Sequence, residues 1–289
     1  MKIHYVFSFA RHFYRELFKE YFECELINPC NEEQLKRVDT SKNIIFLFAD
    51  RFTLNFIDKN IFSGTNIMFF RRHELYDKNI ELITRNRHKI KHFFTLNSFF
   101  QEKLNDNYGI NSILEKNYLN ENIWTYKERC IGSNVAWTGE FQDRKAPDFL
   151  VEIAAAFPDH KFHCAVSPGP AKQLYKDFLS YYKLNNLILY ENIDSQEKMN
   201  IFLDDKNYLL TTSISEGLPN NVLEAMVKGI KPIVRNYPGN VFQEYSYNST
   251  QDINKLFNGS YNSKEYRDVT IERYGLNAFL KFRDYVLSI

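Results

Sequence analysis

Two glutamates, Glu216 and Glu224, stand with seven residues between them in the run Glu216-Gly217-Leu218-Pro219-Asn220-Asn221-Val222-Leu223-Glu224. A carboxylate accepts hydrogen bonds and so suits hydroxyl-rich ligands such as sugars and ribose. Between the two, Pro219 is a helix start signal. Val222, Leu223, Met226, Val227 and Ile230 then recur at helical spacing as one apolar stripe, and Gly229 stops the helix. A helix N-terminus offers free N–H groups and the positive end of a dipole, which attract phosphate. This turn can therefore hold an anionic diphosphate centrally, with hydroxyl-bearing groups on either side. The bland alternative is a glutamate that only complements the helix dipole.

The flanking elements position that turn. Tyr208, Leu209 and Leu210 form a short apolar run, expected to be a buried strand, which ends in the hydroxyl residues around Thr211 to Ser215. Ile230–Val234 begins the next strand. A loop at the carboxyl end of a strand is where open α/β sheets bind ligands. Further strands are expected at residues 3–9, 25–27, 43–49, 66–70, 92–96, 135–138, 161–166 and 187–190. Helical segments are expected between them at 11–21, 31–38, 80–92, 97–107, 148–157 and 196–203. One or two amphipathic helices are expected over 263–288, with Phe279, Phe282, Tyr285 and Val286 on one face. Strands alternating with helices imply an α/β fold with doubly wound parallel sheets.

The run Glu216 to Glu224, followed by Ala225-Met226 and then Gly229-Ile230-Lys231-Pro232, resembles the signature of retaining glycosyltransferases of family 4. The resemblance implies the GT-B fold: two Rossmann-like domains facing a cleft, here with a reduced N-terminal domain. On that basis residues 1–125 form an acceptor-side domain and residues 126–262 a nucleotide-sugar-binding domain. Residues 263–289 form a C-terminal helix packing back on the first domain. The implied activity is that of a hexosyltransferase-type enzyme. It would move a sugar from a nucleoside-diphosphate sugar to a hydroxyl of a glycan or lipid-linked glycan, as in polysaccharide biosynthesis, with no metal and no cofactor beyond the donor. The alternatives are a non-catalytic sugar-nucleotide or glycan binder, or a nucleotide-sugar epimerase or phosphorylase of the same fold.

Residue by residue, the resemblance assigns Glu216 to donor sugar hydroxyls and Glu224 to the ribose. The backbone N–H groups of Gly217 and Leu218, next to Pro219, would face the diphosphate. Family members show Gly-Arg, four residues, Lys-Gly after the first strand of the second domain. Here Gly139 and Lys145 keep two of those places, Glu140 replaces the Arg, and Ala146 replaces the second Gly. Lys145 would stabilise the leaving diphosphate, and Arg144 is the candidate substitute for the missing Arg. Gly169 falls in a turn near the nucleotide. His73, directly after the strand 66–70, is the candidate for a first-domain histidine near the donor sugar. Its alternative is a surface loop with a local Arg–Glu pair. The loop after the first strand, Phe7-Ser8-Phe9-Ala10-Arg11, lacks the glycine that the family often carries there. Ser98 is expected to cap the helix that follows residue 97, and Asp204-Asp205 reads as a turn before a strand.

Composition bounds the rest. The chain has 289 residues, 37 Lys+Arg against 36 Asp+Glu, and a formal net charge of +1. That balance argues against a dedicated nucleic-acid binder. Cys24, Cys30, Cys130 and Cys164 lack the spacing of a zinc or redox site and are expected to be buried free thiols in a reducing compartment. Arg11, Arg15 and Lys19 follow too soon after the apolar residues 3–10 for a signal sequence, and no run approaches the ~18 apolar residues of a membrane span. A cytoplasmic protein is expected. The basic run Arg85, Arg87, His88, Lys89, Lys91, His92 is a solvated helix face, a peripheral contact with an anionic membrane or a contact with an anionic acceptor.

Overall fold

A computed structural model describes residues 1–8, 14–70, 79–139, 142–166, 177 and 182–289. The chain forms two compact units. Unit 1 holds Met1–Leu119, Glu216–Leu218 and Tyr274–Ile289; unit 2 holds Asn120–Ser215 and Pro219–Arg273. Among the described residues, twelve strands lie in two six-stranded, all-parallel sheets, the doubly wound α/β arrangement expected from the sequence.

In unit 1 the strands are β1 (Tyr5–Phe7), β2 (Glu25–Ile27), β3 (Ile44–Phe46), β4 (Asn66–Phe70), β5 (His92–Thr95) and β6 (Ile113–Leu114). They stand in the order β2-β1-β3-β4-β5-β6. Every residue of β3 and β4 is buried, as befits strands covered on both faces. Side chains alternate between faces. Val6, Ile45, Ile67, Phe69 and Phe94 join one core cluster, whereas Phe7, Ile44, Phe46, Met68, Phe70 and Phe93 join another. Helix α1 (Tyr14–Phe22) brings Leu17, Phe18 and Phe22 to the first cluster. Helix α2 is the short Glu32–Leu35, and α3 (Arg51–Lys59) is capped by Asp50, whose side chain accepts from the N–H groups of Phe52 and Thr53. Helix α4 spans Ile80–Asn86 and α5 spans Ser98–Tyr108.

The cap of α5 corrects one expectation. Asn97, not Ser98, is the N-cap: its Oδ1 accepts from the Phe100 N–H at 2.9 Å, and Ser98 is already helical. The basic run is also largely engaged within unit 1. Arg85 makes a two-pronged ion pair with Asp58 at 2.8 Å, Lys89 donates to the Ile57 and Asp58 carbonyls, Arg87 to the Tyr108 carbonyl and Lys91 to the Ile289 carbonyl.

In unit 2 the strands are β7 (Asn134–Gly139), β8 (Lys161–Val166), β9 (Leu187–Tyr190), β10 (Tyr208–Thr211), β11 (Lys231–Arg235) and β12 (Ser246–Tyr247), in the order β12-β11-β10-β7-β8-β9. Its helices include α6 (Pro147–Ala156), α7 (Gln196–Phe202), α8 (Asn220–Val227), α9 (Thr250–Asn258) and α10 (Ser263–Tyr274). α6 and α9 cover one face, where Leu150, Ile153, Ile253 and Phe257 meet Trp137, Tyr208, Leu210 and Ile233. α8 packs on β10 and β11 with Val222, Leu223, Met226 and Val227 buried. Gly229 ends it at φ +79, and a Cβ there would lie 2.2 Å from the Ser263 hydroxyl, so only glycine fits.

The final helix, α11 (Leu276–Ser288), belongs to unit 1 and delivers Phe279, Phe282 and Val286 to its first core cluster. Phe279 packs against Phe18, Tyr21, Phe22 and Tyr118. Burying each such ring is worth about 1.5–3 kcal/mol. Tyr285, expected on the same face, is 41% exposed; only its ring edge reaches Phe94. The cysteines also depart from expectation: all four are free thiols, but Cys30 and Cys130 are exposed and only Cys24 and Cys164 are buried.

Candidate functional site

In unit 2 the strand order reverses direction at one place. β8 and β9 follow β7 on one side, and β10 and β11 lie on its other side. The carboxyl ends of β7 and β10 therefore flank a topological switch point, the position at which open α/β sheets bind ligands. The expected residues Gly139, Arg144 and Lys145 lie at or beyond the end of β7; Pro219 and Glu224 follow β10.

After β7 the chain makes a 3-10 turn over Asp143–Lys145, closed by the Lys145 N–H donating to the Gln142 carbonyl at 2.8 Å. Ala146 then adopts φ +43, ψ 62, a left-handed conformation, and Pro147 opens α6. The glycine-for-alanine difference noted in the sequence thus falls on a backbone position that favours glycine, because a Cβ there costs roughly 1 kcal/mol. Gly139 has a second use for its missing side chain. A Cβ would meet the Trp137 ring at 3.2 Å and the Lys145 Cδ at 3.6 Å, so the lysine stem passes close over this residue. Lys145 and Arg144 are both half-buried, and Arg144 Nε donates to the Gln142 side chain at 3.1 Å.

The loop after β10 is tied to this turn through its main chain. The Ile214 N–H donates to the Arg144 carbonyl at 2.8 Å, and the Thr212 hydroxyl donates to the Lys145 carbonyl at 2.5 Å. Trp137 Nε1 donates to the same hydroxyl at 2.9 Å, and Arg235 donates to the Thr212 carbonyl at 3.2 Å while its guanidinium stacks 4.6 Å over the Phe149 ring. Asn221, in the first turn of α8, donates to the Thr138 hydroxyl at 3.0 Å, fixing that helix end to the end of β7. Trp137, Thr212, Asn221 and Arg235 were not singled out from the sequence. Their partners lie more than 20 residues away along the chain, and no local spacing announces them.

Several polar groups here lack partners. α8 has no side-chain N-cap; its first residues follow Pro219. The Asn220 Oδ1 and Thr211 Oγ1 atoms are buried without a hydrogen bond. Glu224 is half-buried, and its carboxyl makes no hydrogen bond or ion pair among the described residues. Desolvation pushes that carboxyl up to about 7. A ligand hydroxyl donating to Glu224 would satisfy a carboxylate that the fold leaves bare.

Glu216, Gly217 and Leu218 are counted with unit 1, and there two buried asparagines hold them by their carbonyls. Asn97 Nδ2 donates to the Gly217 carbonyl at 3.0 Å and the Glu216 carbonyl at 3.4 Å; Asn117 Nδ2 donates to the Leu218 carbonyl at 2.5 Å. In trans peptides the N–H points opposite to the carbonyl. The Gly217 and Leu218 N–H groups accordingly face away from Asn97, and neither has a partner among the described residues. Glu216 itself is half-buried.

His73 and Gly169 lie outside the described residues, as do Glu140 and the loop 9–13. Asp204 does not face the switch point: it precedes β10 and is ion-paired with Lys228 at 2.7 Å and Lys127 at 3.1 Å. A cavity of about 410 Å³ in unit 2 is lined by Tyr190, Ile193, Lys198 and Asp205 among others. None of the expected site residues lines it, although Ile193 belongs to the turn that the resemblance puts near the base.

Residues 134–266 match the family described as "Glycosyl transferases group 1". No curated protein matches the chain by sequence. Among solved structures, HepE of Anabaena in complex with UDP and glucose aligns with TM-score 0.75 at 11% identity, over 98% of this chain and 91% of that one. The lipopolysaccharide outer core galactosyltransferase WaaB in its apo form aligns with TM-score 0.68 at 15% identity, over 100% and 99% of the two chains. A mutant form of S. aureus TarM, in complex with fondaparinux, alpha-GlcNAc-glycerol and UDP, aligns with TM-score 0.67 at 15% identity over 85% of this chain. The chain spans 55% of the length of TarM. These likenesses show the fold, which is GT-B.

Proposed function

We propose that this chain, whose residues 134–266 match the family described as glycosyl transferases group 1, is a sugar transferase. It takes a nucleoside-diphosphate sugar as donor and a hydroxyl of a glycan or lipid-linked glycan as acceptor, with retention at the sugar carbon and without a metal. The observation that carries this reading is the pairing, at one switch point, of Lys145 and the open N-terminus of α8 with the unpartnered carboxyl of Glu224. The cation and the helix end suit a diphosphate, and the bare carboxylate suits a ribose. Glu216 takes donor sugar hydroxyls, and the Gly217 and Leu218 amides add to the diphosphate cradle. UDP is present in the HepE and TarM structures, which makes UDP-sugars the first donors to test. A glycan acceptor is supported by the names of TarM's ligands and of WaaB.

In the proposed step, the bond from the sugar carbon to the diphosphate oxygen breaks and the acceptor oxygen bonds to the same carbon on the same face. The acceptor proton passes to the departing phosphate. Negative charge grows on the diphosphate, and a fixed cation and preset N–H groups lower that barrier because they need no rearrangement. The proposed setting is the cytoplasm. No helix among the described residues is long and apolar enough to cross a membrane. The test is nucleoside diphosphate release from a panel of UDP- and GDP-sugars, with glycan and lipid-linked acceptors and with excess chelator. Release that survives chelation and is lost in Glu216→Ala and Lys145→Ala supports the assignment; near-normal release from both variants removes it. A second reading, a donor-binding protein without turnover, is favoured by Glu140 standing where the family has Arg. It predicts UDP binding with no release from any donor.

A further inference from the structure

We infer that Thr212 is a positioning residue for Lys145, acting through a buried relay that runs from the Trp137 indole to the Lys145 main chain. Thr212 is 1% exposed and its hydroxyl is used twice. It accepts from Trp137 Nε1 at 2.9 Å, and it donates its own proton to the Lys145 carbonyl at 2.5 Å. A hydroxyl has one proton to give. The indole can only donate, so the direction of both bonds is fixed and the hydroxyl proton is committed to Lys145.

The surroundings make this relay a mould and not a chance contact. Trp137 is 1% exposed and sits in the core shared by β7, β10 and α6, so its Nε1 is a stationary donor. The same indole lies 3.2 Å from where a Gly139 Cβ would be, beside the stem of Lys145. One residue before Lys145, the Arg144 carbonyl accepts from the Ile214 N–H, two residues after Thr212. Thr212's own carbonyl is held by Arg235. The turn 143–145 is therefore pinned by consecutive carbonyls to one segment, 212–214, at the end of the neighbouring strand. Any displacement of that segment moves the base of the Lys145 side chain. Valine has threonine's shape but can neither accept from the indole N–H nor donate to the Lys145 carbonyl.

This inference rests on the proposed role of Lys145, and the experiment separates the two. Thr212→Val, Thr212→Ser, Trp137→Phe and Lys145→Ala are made, together with the double variant Thr212→Val/Lys145→Ala. Each is assayed for nucleoside diphosphate release, with kcat and donor KM resolved, and for UDP affinity by calorimetry. The expected result is a roughly ten- to hundredfold fall in kcat for Thr212→Val, since a misplacement of ~1 Å at a reacting group costs that much. Thr212→Ser is expected to restore the rate, and Thr212→Val is expected to add less than about twofold in the Lys145→Ala background, because residues that act through one another are not additive. A full, independent loss in the double variant, or a Thr212→Ser that folds but stays slow, overturns the inference. Where wild type itself releases nothing, the functional reading fails while the inference is still decided by the crystal structure of Thr212→Val. A turn 143–145 displaced by about 1 Å sustains it; a turn that stays in place with Lys145 unmoved overturns it.

Discussion

The two ends of the sheet in unit 2 treat their charges in opposite ways. At the amino end, Lys228 is fully buried and every valence of its ammonium is used: it donates to the Thr125 carbonyl, to Asn200 Oδ1 and to Asp204, which also binds Lys127. Lys231 donates to the Leu256 and Ser260 carbonyls at the end of α9, where a cation complements the helix dipole. Arg129 reaches the carbonyls of Lys127, Lys228 and Asp204. At the carboxyl end, the Thr212 hydroxyl and Arg235 hold main-chain carbonyls and Asn221 reaches the Thr138 hydroxyl, while Glu224, Asn220 Oδ1 and Thr211 Oγ1 are left open. The first arrangement consumes polar groups to hold strands together. The second uses structure to keep polar groups available, which is what a ligand requires.

The comparison is sharpened most by exchanging one lysine at each end. Lys145→Ala should cost about 10²–10³ in turnover, the scale of losing one preset charge stabiliser, with an unfolding midpoint close to wild type because the side chain is half-buried. Lys228→Ala should do the reverse. Asp204 keeps Lys127, but the Thr125 carbonyl and Asn200 Oδ1 lose the buried ammonium as donor, and the unfolding free energy in urea should fall by about 2 kcal/mol. UDP binding by the folded fraction should stay unchanged. Equal effects of both substitutions on turnover and on stability would erase the distinction between the two ends.

Glu224 tests the openness of the carboxyl end by its proton. Its folded value of about 7 stands above the ordinary 4.5, so the folded protein binds this proton more tightly than the unfolded chain. Its contribution to stability is therefore fully present below about 4.5, and is lost as pH rises towards about 7. Glu224→Gln should flatten that slope and raise stability at pH 8 by up to roughly 3 kcal/mol, measured by urea unfolding across pH, while weakening UDP binding. A hydroxyl ligand that donates to the ionised carboxylate should expel the proton, so UDP binding near pH 6.5 should release protons in buffers of differing ionisation enthalpy. The smallest effect belongs to Ala146. Ala146→Gly relieves a left-handed alanine but loosens the unfolded chain, for a net gain of about 0.5 kcal/mol by thermal unfolding, with turnover unchanged.

Much of the architecture was legible because parallel strands buried on both faces read as apolar runs. β4, β8 and β9 fall on the expected residues 66–70, 161–166 and 187–190. Where two residues could do the same local job, sequence alone could not choose. Asn97 caps α5 in place of Ser98: its amide oxygen accepts from the Phe100 N–H while its NH2 group donates to both the Glu216 and Gly217 carbonyls, where a hydroxyl would have a single proton to give. Tyr285 follows the helical stripe yet stays exposed, since period fixes a face and not how deeply its margin is covered. Of the candidate site, Glu224 and Lys145 were proposed from spacing and resemblance. The Trp137–Thr212–Lys145 relay was not, because it joins residues 75 and 67 positions apart across adjacent strands.

The placement of α11 has a consequence for how this chain is made. A ribosome delivers β1 to β6 before any of unit 2, yet the aromatic cover for one face of that sheet, Phe279 and Phe282, is encoded more than 150 residues later. Through most of synthesis, Phe18, Phe69 and Phe94 wait with that lid unmade. The sheet made first is thus sealed only after unit 2 has emerged, and a chain stopped before residue 279 would leave a sticky half-built layer beside a second unit that is already whole.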